Sequence, residues 1–79
     1  MVTYVRHLRR LMDKAGAEYN WENKQLLDKV VREVLGMEKA DAEDVWKKVK
    51  GLILSGESPE RKQFEEEVVK RMVKRLITG

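Results

Sequence analysis

The stretch Ser58 to Thr78, SPERKQFEEEVVKRMVKRLIT, constrains the fold of this chain more than any other. Ser58 can cap a helix with its hydroxyl, and Pro59 at the first helical position gives up an N–H that would have no partner there. Beyond them Phe64, Val68, Val69, Met72, Val73, Leu76 and Ile77 recur at intervals of four and one, a pattern no strand produces. A helix of about 20 residues is roughly 30 Å long. It can cross a small domain from end to end, so the three shorter segments upstream are expected to pack on it.

Those segments also read as helices. From about Thr3 to Ala15, Tyr4, Val5, Leu8, Leu11, Met12 and Ala15 share one arc of a helical wheel, with Arg6, Arg9, Arg10, Asp13 and Lys14 opposite. Gly16 supplies a left-handed stop, and Ala17 can fold back toward Met12. Asn20 is placed to cap a second helix, Trp21 to Leu35, whose rows Leu26/Val30/Val34 and Leu27/Val31/Leu35 form a wide apolar face ending at Gly36, with Met37 placed to reach Val31. Asp41 is the best cap for a third helix, with Ala42, Glu43 and Asp44 in its first turn and Val45, Trp46, Val49, Leu52 and Ile53 along its stripe. The connections are short, which favours antiparallel or steeply angled neighbours. The expected architecture is all-α: residues 1–79 form a single helical domain, a compact four-helix bundle or an orthogonal four-helix array with a long C-terminal helix.

A chain of 79 residues buries only about 60–65% of the surface its unfolded form exposes, so ion pairing or association has to supplement a small core. Charged residues reach 39%, against roughly a quarter in an average domain. The dominance of Lys, Arg and Glu, with few amides, resembles chains adapted to high temperature, where ion-pair networks lose less to desolvation. Cysteine is absent, which excludes disulfides and thiolate chemistry and fits a reducing, cytoplasmic setting. The longest apolar run is Leu52-Ile53-Leu54, far short of the ~20 residues that span a bilayer, so no membrane association is expected.

Catalytic chemistry finds no footing. The sole histidine, His7, sits among Arg6, Arg9 and Arg10, which disfavour its protonation, and no nucleophile accompanies it. Asp41, Glu43 and Asp44 lack the alternating oxygen ligands of a calcium loop and read as helix-start carboxylates. The glycines are isolated, so there is no phosphate loop. No enzyme activity, catalytic residue, metal or cofactor is expected. Glu66 and Glu67 precede Lys70 and Arg71 by four residues, the favourable order for ion pairing. Glu65 falls inside the apolar arc and either snorkels from the first turns or meets a basic residue of another helix or another chain.

Two functional expectations remain. Apolar residues cover about 220° of the fourth helix and about 180° of the second, wider than the usual stripe of roughly 100°. Surplus apolar width means either a central helix flanked by neighbours on two sides or an interface, and the chain is read first as a protein-interaction module, a homodimer meeting through Trp21, Phe64, Val69, Val73 and Ile77. Trp21 is included because it lies off the arc of its own helix. The alternative is a nucleic-acid-binding accessory protein. Its net charge is +3, and residues 1–17 alone carry +3, so a basic surface of Arg6, Arg9, Arg10 and Lys14 with Lys70, Arg71, Lys74 and Arg75 is the candidate contact. Leu35-Gly36-Met37 with Ala42 and Val45 also has helix-turn-helix spacing. There, however, Arg32 stands where a small residue belongs, and the acids at the start of the third helix would repel phosphates.

Overall fold

A computed structural model describes residues 4–78. A 3-10 turn, Tyr4–Leu8, leads into α1 (Arg9–Ala15), followed by α2 (Trp21–Leu35), α3 (Ala42–Leu54) and α4 (Pro59–Thr78). The all-α four-helix arrangement expected from the sequence is the one found, with no strand among the described residues. The largest dimension is 31 Å, close to the roughly 30 Å length of a 20-residue helix. The long helix therefore sets the size of the molecule. α4 packs mainly against α1 and α2 and more lightly against α3, while α2 and α3 approach each other little.

Local chemistry explains most boundaries. Asn20 accepts a hydrogen bond from the Asn23 amide at 2.8 Å, and Ser58 Oγ accepts one from the Arg61 amide at 3.2 Å. Asp41 occupies the N-cap of α3 but makes no side-chain cap bond, so the sequence located that boundary without the bond that motivated it. Gly16 has φ 73° and Gly36 φ 69°. The amide that follows each of them reaches back across the turn, Ala17 to the Met12 carbonyl at 2.9 Å and Met37 to that of Arg32 at 2.8 Å, the bonding of a Schellman stop.

The N-terminal segment departs from expectation. Thr3 lies outside the described residues, and Tyr4–Leu8 is 3-10 rather than α. With three residues per turn, side chains at i and i+3 align. Tyr4 and His7 thereby share one line and both stack on Trp46, with ring centroids 6.4 and 4.7 Å away, while Val5 and Leu8 share another and enter the core. An α turn would spread these pairs apart.

The core is one cluster drawn from every segment, including Leu11 and Met12 of α1, Leu27, Val30 and Val31 of α2, Val45 and Val49 of α3, and Phe64, Val68 and Met72 of α4. On α2 the fully buried strip is narrower than the two expected rows: Leu26, Val34 and Leu35 stay half-buried at its edges.

Candidate interaction surfaces

A half-buried chain of polar bonds joins three segments. Tyr4 Oη donates to Asp28 Oδ1, Arg32 Nε donates to both Asp28 oxygens at 3.1 Å, and Arg32 Nη1 donates to the Ala40 carbonyl. Burial first, then the bond to Asp28, pushes the Tyr4 phenol far above its ordinary value, so it remains a donor across the physiological range. Arg32 thus fills the space between α2 and the loop before α3, where a helix-turn-helix needs close approach of the two helices. Asp41, Glu43 and Asp44 at the start of α3 are exposed. These features give the α2–α3 pair an acidic leading edge and a structural role for Arg32.

Two carboxylates flank α4, each gathering two arginines. Glu33 of α2 receives Arg75 through both oxygens at 2.7 Å, with Arg71 at 3.8 Å. Glu65 of α4 receives Arg10 of α1 at 2.5 Å and Arg61, one turn back on its own helix, at 3.5 Å. Both glutamates are largely enclosed, with side chains 18% exposed. The position that looked anomalous on the wheel is thereby satisfied within the chain. Arg61 also donates to the Ile53 and Gly56 carbonyls at 3.4 Å, tying the end of α3 to the start of α4. Of the two expected i,i+4 pairs, Glu67–Arg71 forms at 2.9 Å, and the bond from Arg71 holds the Glu67 carboxyl below the usual range. Glu66–Lys70 does not form; both side chains stand in solvent, where such a pair gains little over hydration.

The candidate basic surface divides into separate groups. Arg6 lines a shallow depression with Tyr4, His7, Glu43 and Trp46. Arg9 lies over the Tyr19 ring at 4.6 Å, a ring Lys24 also approaches at 4.4 Å. Arg71, Lys74 and Arg75 gather around Glu33 and Glu67, so much of their charge is compensated. Arg10, Lys14 and Lys70 belong to a groove between α1 and α4 that also contains Arg61 and Lys62. Those last two were not among the residues singled out from the sequence, although the Arg61 to Glu65 spacing is a readable ion-pair signal.

The candidate apolar interface also divides. Phe64 is 6% exposed and belongs to the core, because it points along the same line as Val68 and Met72; it has no free surface to offer. Val69 and Val73 are half-buried and Ile77 is 79% exposed. Trp21 is 72% exposed at the first turn of α2, and Leu54 is 74% exposed at the last turn of α3. Among the described residues, no group of three or more metal-ligating side chains comes together and no helix is long and apolar enough to cross a membrane. Compared with known protein families, curated proteins and solved structures, the chain has no match.

Proposed function

We propose that the chain is a non-catalytic interaction module that associates with a second copy of itself along the outer edge of α4. The carrying observation is the row Val69, Val73 and Ile77, spaced four apart, which passes from half-buried to exposed while the helix stays anchored through Arg75 and Glu33. Such a row is self-complementary: a two-fold axis at Val73 in an antiparallel pairing sets Val69 of one copy against Ile77 of the other, as an isologous contact requires. The inter-helix ion pairs Arg10–Glu65 and Arg75–Glu33 support the further reading of a chain suited to high temperature. The absence of cysteine suits a cytoplasmic setting.

Sedimentation velocity over the micromolar to millimolar range tests the proposal. Twice the monomer mass is expected at the upper end, and Val73→Lys with Ile77→Lys should return the monomer without altering the circular-dichroism spectrum. A wild-type monomer throughout that range would retract it.

A further inference from the structure

We infer that the groove between α1 and the first half of α4 binds the phosphate backbone of a double-stranded nucleic acid. This does not depend on self-association. The groove encloses about 680 Å3 and is bordered by Arg10, Lys14, Arg61 and Lys62 against two carboxylates, Glu57 and Glu65. It continues into a second depression that adds Lys70 and one further carboxylate, Glu66. From Ser58 to Lys70 this track follows α4 for about 18 Å.

The charges in it are unequally available. Glu65 is already claimed by Arg10 and Arg61, and Arg61 is turned toward the end of α3. Lys14 and Lys62, both exposed, have no hydrogen bond or ion pair among the described residues. Arg10 uses only Nη2 on Glu65, leaving most of its five donors open. Three cations can therefore turn outward on one side of the groove while the carboxylate between the arginines stays occupied.

The lining decides what kind of polyanion fits. Pro59 and Val69 are its only apolar side chains, so an acidic protein segment would find no pocket for the buried anchors that carry protein interfaces. A nucleic acid needs none, since its backbone contacts are electrostatic and independent of sequence. No aromatic side chain lines the track, which removes the stacking platform that single strands use and leaves the duplex. With about three phosphates neutralised, the logarithm of the affinity should fall against the logarithm of salt concentration with a slope near −3.

The test is fluorescence anisotropy with labelled duplexes of DNA and of RNA, about 20 base pairs long, at about 50 mM salt, where backbone contacts are strong. Lys14→Glu with Lys62→Glu should weaken binding about tenfold or more, whereas the charge-matched pair Lys47→Glu with Lys48→Glu on α3 should change it less than about threefold. All four positions are exposed, so folding should survive, and circular dichroism verifies that it does. Equal losses in the two variants would reduce the effect to net charge and overturn the site. No binding of either duplex, or displacement of duplex by polyglutamate at equal charge concentration, would overturn the nucleic-acid assignment.

Discussion

Val68 and Ile77 stand nine residues apart on one helix, and a helical wheel gives both to the apolar arc, yet the first is fully buried and the second 79% exposed. The difference lies in which side of that broad arc each occupies, since nine residues turn a helix through about 180°. Phe64, Val68 and Met72 point between α1 and α2 into the shared core, whereas Val73, Leu76 and Ile77 turn progressively outward. Periodicity reports which residues are apolar and how they align. It does not report which part of a broad arc the neighbouring helices cover. The open end is not a frayed one, since Glu33 grips Arg75 through both carboxylate oxygens.

The hardest blow to this contrast is a matched pair of truncations. Met72→Ala should cost about 2–5 kcal/mol of unfolding free energy, because it leaves a cavity in a closed core. Ile77→Ala should stay within about 0.5 kcal/mol in the monomer. Urea titrations at low protein concentration measure both, and comparable losses would mean that the open end is covered within a single chain.

Next in size is the scaffold behind the enclosed half. Tyr4→Phe removes the phenol from Asp28 but leaves the Arg32 bonds in place, so a loss of about 1–2 kcal/mol is expected. The pH dependence has a definite sign. The folded-state phenol titrates above its unfolded value of about 10, the folded state holds the proton more tightly, and the stabilisation is complete below pH 10 and declines as pH rises beyond it. Alkaline melts of the wild type should show that decline, and the Tyr4→Phe variant should lack this component.

A smaller effect distinguishes an anchored end from a loose one. Glu33→Gln leaves Arg71 and Arg75 without their shared carboxylate, at an expected cost of about 1 kcal/mol given the partial exposure of both arginines. Amide exchange in the last two turns of α4 should accelerate while the Phe64 to Val68 region is unchanged. Smallest of all is Glu67. Its carboxyl titrates below the usual range, so its pairing with Arg71 is present above the unfolded-state value and is lost as pH falls through the folded one. Moderate salt should erase that acid-side contribution.

The elements themselves were legible because their signals are local. Asn20, Ser58 and the two helix-ending glycines act within a few residues of where they stand, and four and one spacings identify the stripes. The 3-10 geometry of Tyr4–Leu8 was not legible, since its cause, Trp46 on α3, lies about forty residues away. Phe64 was assigned to a partner and belongs to the core, because a wheel ranks apolar residues without knowing which neighbour arrives. Glu65 carried a readable anomaly, a charge in an apolar arc, which left open a snorkelling side chain or a basic residue of another helix or chain; Arg10 of α1 is that partner. Glu33 carried none: a single glutamate on a polar face gives no hint that two arginines some forty residues later converge on it.

The uneven embedding of the helices also bears on the order in which the fold opens. α3 contributes Val45 and Val49 to the core but touches α4 only lightly and α2 scarcely at all, and its outer turns end in an exposed Leu54. Its backbone should therefore exchange amide protons through openings of lower free energy than those that expose α2 and α4, making it a separate cooperative unit. A protease acting under native conditions would find its first substrate there, near the junction at Ser55 and Gly56, while the long helix and its two main neighbours remained folded.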